Sequence, residues 1–267
     1  MILFQPHRPW PLIQLTLQRH RLRLQRKVLP RQDAFIGLEQ IFDGNGLRTL
    51  VTHDAFVVTC IEIRAGTLSM PLPSGEVLLP ARLVLFIPPR CVVPMHFADA
   101  SVHSTGIAGF DSNRVDRLAF LPVDAAPSFA DADAILRLQR SPGVCRLEPE
   151  GGVPFAIRKA RALLHEGLGE LRLIQKVARQ AGMSTEALGR GFRAAYQLTP
   201  RAYCQKARIF HAVLKILSKR SIIESALEAG FADLKRFYVQ FRKLHGGTPG
   251  AYEKARKRQD TGGTPSA

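Results

Sequence analysis

The chain has 267 residues, of which 46% are hydrophobic and 22% are charged, as in ordinary globular proteins. Intrinsically disordered, collagen-like and disulfide-scaffold proteins are therefore excluded. The charge balance is unusual, because 38 Lys and Arg residues stand against 22 Asp and Glu residues, a net charge of +16. Such an excess is typical of proteins that bind a polyanion.

The positive charge is concentrated in the C-terminal half of the chain. Residues 1–150 contain 16 basic and 14 acidic side chains, a net charge of +2. Residues 151–267 contain 22 basic and 8 acidic side chains, a net charge of +14. This asymmetry predicts a dedicated nucleic-acid-binding module in the second half.

The cysteines and the apolar segments indicate a reducing compartment. Cys60, Cys91, Cys145 and Cys204 have no spacing typical of a metal or redox pair, so we expect four free, small, buried side chains. The first ten residues lack the pattern of a signal peptide, and the longest apolar run, Leu83–Ile87, is too short to span a membrane. We expect a cytoplasmic protein, associated with the bacterial nucleoid, with no membrane partner.

Short β-branched runs divided by turn residues dominate the N-terminal half. Residues 31–122 are predicted to form a β-rich sensor or dimerisation domain, a small barrel or sandwich of five to eight short strands. The sequence Asp43-Gly44-Asn45-Gly46 predicts a hairpin turn, and Ala55–Arg64 predicts a strand. Residues 1–30 form a basic N-terminal extension, in which Leu12–Val28 is predicted as a basic edge strand or a frayed segment.

Helical periodicity dominates the remainder of the chain. Residues 123–152 are predicted as a linker with one helix, Phe129–Arg140. Residues 153–258 are predicted as an all-α domain, and residues 259–267 as a disordered tail.

A repeat of about 48 residues organises the helical half. The matching positions are Ile174, Ala178, Ala181, Gly182, Phe192 and Thr199-Pro200-x-x-Tyr203 in the first copy, and Ile222, Ala226, Ala229, Gly230, Phe241 and Thr248-Pro249-x-x-Tyr252 in the second. Each glycine is placed to end a helix in the left-handed region, and each Thr-Pro pair to begin one. Each copy therefore reads as helix, tight turn, helix.

The repeat predicts seven helices from Phe155 onward. Ser221 and Glu224 form a capping box that begins the first helix of the second copy. The helix that joins the two copies, Arg201–Leu217, would be about 26 Å long. The faces turned away from the apolar stripes carry six basic residues and one acid, whereas a merely solvated helix usually mixes signs. These are Arg190, Arg193, Lys235, Arg236, Arg242, Lys243 and Glu186.

Over residues 154–258 this arrangement resembles the DNA-binding domain of the AraC/XylS transcription regulators. The most specific part is Ala229-Gly230-Phe231 through Phe237-x-x-x-Phe241 to Thr248-Pro249-x-x-Tyr252. The resemblance implies two helix-turn-helix units joined by a long helix, and promoter-specific control of transcription, most often activation. Leu83–Ile87 followed by Pro88-Pro89 is similar to the divergent cupin-like domain that often precedes this module.

The resemblance also implies roles for individual residues. Base contacts would fall to Glu186, Arg190, Lys235, Arg236 and Val239. Phosphate contacts would fall to Arg193, Lys206, Arg208, Arg242 and Lys243.

Four positions depart from the family pattern, and one of them is Val239, which stands where an arginine or polar residue is frequent. Gly189 and Gly191 flank Arg190, so the first unit would read few bases or become fully ordered only on DNA. Gln197 stands where glycine is common.

Double-stranded DNA is the expected partner, and RNA polymerase, a small-molecule or protein effector at the N-terminal domain, and a second copy of the chain are further candidates. We expect no cofactor and no metal, because His96 and His103 lack the spacing of a cupin metal site. One alternative is an architectural DNA binder that acts through charge alone. The other is a DNA-repair alkyl transferase, which Cys91 contradicts because no His-Arg follows it. We therefore expect no enzymatic activity.

Overall fold

The computed structural model describes residues 13–15, 22–32, 35–110, 114–127, 131–218, 220–245 and 247–260. The strands are β1 Ile13–Leu15, β2 Leu22–Gln32, β3 Phe35–Val51, β4 Phe56–Leu72, β5 Gly75–Leu78, β6 Arg82–Ile87, β7 Val92–Gly109, β8 Ala119–Pro122 and β9 Cys145–Arg146. The helices are α1 Ala132–Arg137, α2 Phe155–Glu166, α3 Leu173–Gln180, α4 Thr185–Tyr196, α5 Pro200–Leu217, α6 Ile222–Glu228, α7 Leu234–His245 and α8 Pro249–Asp260.

The N-terminal half is mainly β, as the sequence predicts, and its described strands form one antiparallel sheet. Its described strands are hydrogen-bonded in the order β1-β2-β3-β7-β4-β6-β8-β9, and β5 pairs with β4. Three strands are far longer than the predicted short strands, with 17 residues in β3, 17 in β4 and 18 in β7. β1 and β2 belong to the sheet at its β1 edge, so the predicted N-terminal extension contributes two strands.

The hairpin predicted at Asp43-Gly44-Asn45-Gly46 is wrong. β3 continues through this sequence, and its pairing with β7 shifts register between Gly44 and Gly46. Both glycines have positive φ, 118° and 147°. The Asn45 side chain bonds Asp99 on the neighbouring strand and accepts a hydrogen bond from the Asp99 backbone N–H. The turn-forming residues therefore build a β-bulge, which needs the same left-handed backbone as a tight turn.

The sheet is covered on both faces. Along β6, Leu83, Leu85 and Ile87 pack into one apolar core. The alternate residues Val84 and Phe86 pack on the opposite face, together with side chains of α1. This explains why β6 reads as a continuous apolar run in the sequence, since a strand buried on both faces needs no polar alternation.

The long strands β4 and β7 bend together at Gly66. Their register shifts on both sides of Ala65, opposite Ser101 and Ala98. Gly66 has φ +67°, and a Cβ atom on it would lie 2.2 Å from the Asp99 carbonyl oxygen. Only glycine fits this close approach of two backbones.

The seven helices predicted from Phe155 onward are confirmed, and the first spans Phe155–Glu166 as expected. The predicted caps are also confirmed. The Thr199 and Thr248 hydroxyls accept hydrogen bonds from backbone N–H groups three residues on, and Ser221 and Glu224 form the capping box. The linker helix predicted over Phe129–Arg140 is the short helix α1 followed by a 3-10 turn, Leu138–Arg140.

Helix α5 connects the two helix-turn-helix units and contacts the sheet. Its first half places Tyr203, Cys204 and Ala207 in a core shared with α2, α3 and α4. Its second half, from Ile209 to Leu217, packs into the core of α6, α7 and α8. Both cores also contain side chains of the β domain, Val51 and Val92 in the first core and Ala55 and Ala108 in the second. The helical domain therefore docks against the end of the sheet through α5, a contact that we call the junction.

The end of the linker is tied to the first unit. Glu150 accepts hydrogen bonds of 2.6 Å from Arg161 Nε in α2 and of 2.6 Å from the Tyr196 hydroxyl in α4. Arg161 also donates to the carbonyl oxygen of Arg90 in the β domain. The Glu150–Arg161 ion pair and the hydrogen bond from Arg161 to Arg90 thus join the linker, the helical domain and the β domain.

None of the described helices is both long and apolar enough to cross a membrane. Of the predicted tail 259–267, residues 259 and 260 end α8, and residues 261–267 lie outside the described part of the chain.

Replacement of Gly66 tests the close approach of β4 and β7. Gly66→Ala is expected to lower the free energy of unfolding by about 2–5 kcal/mol, because backbone strain adds to overpacking. Gly75→Ala is the matched control, since Gly75 also has positive φ but has no neighbouring atom within 4 Å of the added Cβ. Its cost should be limited to about 1–2 kcal/mol of strain. Equal losses in urea unfolding would contradict the proposed steric cause.

Candidate DNA-binding surface

The two helix-turn-helix units share one hydrogen-bond framework in their turns. In the first unit, α3 and α4, the Met183 N–H donates to the Ala178 carbonyl at 3.0 Å. In the second unit, α6 and α7, the Phe231 N–H donates to the Ala226 carbonyl at 2.9 Å. Between them Gly182 and Gly230 have φ +70° and +80°, as the sequence predicts. Each turn is therefore fixed by the same left-handed glycine and the same backbone bond.

The second helix of each unit begins with a different N-cap. Ser184 accepts a hydrogen bond of 3.1 Å from the Ala187 N–H at the start of α4. Asp233 accepts hydrogen bonds from the backbone N–H groups of Lys235, at 2.8 Å, and Arg236, at 3.2 Å. The carboxylate of Asp233 is therefore directed to the α7 backbone. This N-cap is not among those predicted from the sequence, although Asp is a favoured N-cap residue.

The apolar stripes of both helices are buried, which turns the predicted contact residues outward. Leu188 and Phe192 of α4 and Phe237 and Phe241 of α7 are fully buried. All five residues predicted to read bases are exposed: Glu186, Arg190, Lys235, Arg236 and Val239. Val239 has 58% of its surface exposed, so its apolar side chain is accessible on α7.

The charge state of Glu186 suits a hydrogen-bond acceptor. Its own backbone N–H and then the Thr185 hydroxyl, 3.0 Å from Oε1, lower the pKa of this carboxyl. Glu186 is therefore ionised at neutral pH and can only accept hydrogen bonds.

The five predicted phosphate contacts separate into two groups. Arg193, Arg242 and Lys243 are exposed on the recognition helices, the second helices of the two units. Lys206 instead lies in the junction, where its Nζ donates to the Thr49 carbonyl at 3.0 Å. Burial lowers the pKa of Lys206 to about 8. A phosphate contact does not fit this placement, because the ammonium group faces the sheet.

Arg208 is only half-buried, and its guanidinium carbon lies 5.9 Å from the centre of the Phe231 ring. Burial lowers its pKa, and its Nε atom makes no hydrogen bond to any described residue. Because Phe231 is the first residue after the turn glycine of the second unit, Arg208 lies beside that turn and remains a phosphate candidate.

The glycines of α4 have different surroundings. A Cβ atom on Gly191 would lie 2.5 Å from Cδ1 of Ile157, so this glycine allows α2 and α4 to pack closely. A Cβ atom on Gly189 would have no neighbour within 4 Å. Gly189 therefore lowers helix stability beside Arg190 without a packing reason.

Gln197 ends α4 in the left-handed conformation, with φ 54°. Gln197 therefore adopts the left-handed conformation that favours glycine, the residue common at this position in the family.

The structure also brings together residues that the sequence did not link. Histidines from the β domain, from α2 and from α5 meet at the junction, where the centroid of the His53 ring lies 4.5 Å from that of His165 and 4.4 Å from that of His211. They are separated by up to 158 positions along the chain, so no local spacing could have revealed them.

Comparison with known proteins gives independent support for the helical region. A family described as a helix-turn-helix domain matches residues 177–255. The virulence regulon transcriptional activator VirF of Yersinia enterocolitica is 35% identical over 77 residues, as is the thermoregulatory protein LcrF of Yersinia pestis. Each match covers 28% of this chain, and the chain spans only 28% of the length of these relatives.

Solved structures also match, with low overall similarity. The C-terminal domain of AraT, a response regulator from Geobacillus stearothermophilus, is 23% identical, with a TM-score of 0.37 over 39% of this chain and 88% of its own. ToxT from Vibrio cholerae is 10% identical, with a TM-score of 0.44 over 84% of this chain and 98% of its own.

The two glycines of α4 provide a matched pair for stability. Gly189→Ala is expected to stabilise α4 by about 0.5–1 kcal/mol, because alanine restricts the unfolded chain and meets no neighbour. Gly191→Ala should give no gain or a loss, because its Cβ displaces Ile157. Amide hydrogen exchange along α4, read by mass spectrometry, measures both. Equal protection in the two variants would be inconsistent with this difference in packing.

Proposed function

We propose that this chain, whose residues 177–255 form an AraC-type helix-turn-helix domain, is a sequence-specific DNA-binding regulator of transcription that acts as an activator. The observation that carries the proposal is the pair of units with the same turn, each presenting an exposed basic helix. The relatives with sequence similarity over this region, a transcriptional activator and a thermoregulatory protein, support this role.

The proposed DNA site is bipartite. Helix α5 has 18 residues and is therefore about 27 Å long. Because it packs against both units, it fixes their separation. Two recognition helices at such a separation suit successive major-groove segments, which lie about 34 Å apart on one face of DNA. The shorter protein spacing favours DNA bent toward the protein.

The exposed side chains of α4 and α7 match the donor and acceptor pattern of the major groove. Arg190, Lys235 and Arg236 would donate to guanine O6 and N7. Glu186 would accept from cytosine N4, and Val239 would contact a thymine methyl group. Asp233 would not compete for bases, because it accepts hydrogen bonds from the α7 backbone.

Arg193, Arg242 and Lys243 are proposed to hold phosphates. They flank the base-reading positions on the same helices and are exposed. Such contacts supply affinity and register but no sequence preference. Lys206 is not proposed as a phosphate contact, because its ammonium group donates to the Thr49 carbonyl. The net charge of +14 in residues 151–267 leaves other basic residues for this role.

An architectural binder that acts through charge alone is the second candidate. It would need a basic surface but no defined recognition helices. The geometry favours a regulator, because Val239 is exposed on α7, where a purely electrostatic surface gains nothing from an apolar side chain. The ratio of specific to non-specific affinity separates the two, since regulators reach about 10³ or more.

The alkyl transferase alternative is disfavoured by the cysteines. Cys60, Cys91 and Cys204 are buried, and burial raises the pKa of Cys91 to about 12 and of the other two to about 11. Cys145 is exposed, contrary to the expectation of four buried thiols. An acceptor thiol must form a thiolate, which needs a lowered pKa.

RNA polymerase and a second copy of the chain remain proposed partners of an activator. An effector would need a pocket, and the cavity between the sheet and α5 has a volume of about 130 Å³. Small-molecule sites usually measure about 300–1,000 Å³. A drug-sized effector is therefore not proposed for this cavity.

Selection of bound sequences from a random DNA pool tests the proposed function. We expect two conserved half-sites whose centres lie about 10 base pairs apart, because each recognition helix reads one major-groove segment. Enrichment without a sequence preference would support the architectural binder and reject the regulator.

Two arginines on α7 test the proposed division between base contacts and phosphate contacts. Arg236→Ala is expected to lose about 1–3 kcal/mol of discrimination at one base pair. Arg242→Ala should weaken specific and random DNA alike and lower the salt slope by about one unit. Arg140→Ala, which removes an equally exposed charge outside the recognition helices, is the control and should change neither. Identical effects of the two α7 variants on specific and random DNA would reject the two roles.

A further inference from the structure

A group of metal-ligating side chains lies at the junction between the sheet and the helical domain. His53 and Asp54 belong to the connection between β3 and β4, and His165 lies in the last turn of α2. One ligand atom from each of the three residues lies within 4.8 Å of the other two. We propose that these residues bind a divalent transition-metal ion, Zn²⁺ by preference, that links the β domain to the first helix-turn-helix unit.

The ligand atoms lie near the separations of a tetrahedral site, and rotation of the Asp54 carboxylate and of the His165 ring would bring both histidine nitrogens to Oδ2. His53 Nδ1 lies 3.0 Å from Asp54 Oδ2, and His165 Nε2 lies 3.7 Å from Asp54 Oδ1. Ligands bound to zinc at 2.0–2.1 Å in a tetrahedron are about 3.3 Å apart. Two imidazoles and a carboxylate form a donor set that zinc prefers, and the fourth position would face a cavity of about 240 Å³ beside Glu166 and Arg90.

One nitrogen of each histidine, His53 Nδ1 and His165 Nε2, is buried. Apart from Asp54, neither His53 Nδ1 nor His165 Nε2 has a polar partner among the residues that the structure describes. Buried polar atoms normally have a partner, so two such atoms converging on one carboxylate indicate a ligand.

A second layer of contacts orients the ligands. Tyr203 of α5 pairs with His165 Nδ1 at 2.9 Å, which leaves Nε2 to face Asp54. The His53 carbonyl accepts a hydrogen bond of 2.8 Å from the Arg90 N–H, which anchors the loop. The ring of His211, from α5, contacts that of His53 in a tilted arrangement, with centroids 4.4 Å apart. Metal-binding histidines are usually held in this way through their other nitrogen.

Nearby positive charges oppose a cation and must be accommodated. Arg90 Nε donates to Asp54 Oδ1 at 3.0 Å, so Oδ2 is the oxygen open to the metal. The Arg90 side chain is 57% exposed and can turn toward solvent when an ion binds. Lys215 and Arg161 are further cations near the histidines. Lys215 is paired with Glu228 at 2.9 Å, and Arg161 is paired with Glu150 at 2.6 Å.

The bound ion would connect the two domains directly. The loop of His53 and Asp54 continues into Val51 and Ala55, which pack in the two helical cores. His165 ends α2, which packs on α3 and α4. Metal binding would therefore fix how the first unit lies on the sheet and stabilise the junction by mass action.

Zinc titration of the full chain, freed of metal with a chelator, tests the site. A Cys145→Ser background removes the exposed thiol as a competing ligand. Competition with a chromophoric chelator should give one Zn²⁺ per chain with a Kd below about 1 μM, and Zn²⁺ should raise the thermal unfolding midpoint. Replacement of zinc by Co²⁺ should give the intense visible absorption of a tetrahedral site.

Matched variants make the assignment specific. His165→Gln and Asp54→Asn should each raise the Kd at least about 100-fold, and Tyr203→Phe about 10-fold, because it loses only the orienting hydroxyl. His96→Gln is the control, since His96 is exposed on β7 and belongs to no such group. If His165→Gln fails to fold without metal, Asp54→Asn decides, because Asp54 is 46% exposed. Failure to reach one ion per chain, or equal binding by Asp54→Asn and His96→Gln, would overturn the proposal.

Discussion

Helix α5 has to satisfy three packing surfaces with 18 residues, and the arrangement of the rest of the chain depends on it. Ten of its residues are buried, more than a helix with a single apolar stripe would bury. Tyr203 and Ala207 complete the core of the first unit, whereas Ile209 and Ile216 complete that of the second. Phe210 and Val213 turn toward the sheet. One rigid helix thereby fixes the separation of the recognition helices and the position of both units on the β domain.

The parts of the fold that the sequence predicted are those set by local chemistry. Left-handed glycines, Thr-Pro caps and the Ser221–Glu224 capping box each act within a few residues, so the repeat gave correct helices and turns. The hairpin at Gly44–Gly46 was predicted wrongly for the same reason. Its residues favour a left-handed backbone, and only the pairing with β7 decides that this backbone is a bulge. Tertiary contacts, which a short sequence window does not contain, made that choice.

In the candidate DNA-binding surface, too, the sequence predicted what local chemistry sets and missed what tertiary contacts set. Helical periodicity correctly turned Arg190, Lys235 and Arg236 outward, because the apolar stripe alone fixes the face of a surface helix. It could not reveal that Lys206 faces Thr49 or that Gly191 makes room for Ile157. Those facts depend on what lies against the helix, and in each case the partner is distant in sequence. The same limit hid the histidines at the junction.

The junction differs in kind from the two helical cores that it joins. Within each core the largest buried side chains are aromatic or aliphatic, whereas the junction also contains Lys206, closely spaced histidine rings and the Glu150–Arg161 pair. Burying a lysine opposes docking, because its charged form loses hydration, and the nearby Arg48 adds repulsion. Interactions of this kind yield less free energy than apolar packing of equal area. The apolar side chains that both helical cores take from the β domain must therefore offset the cost of burying Lys206 at the junction.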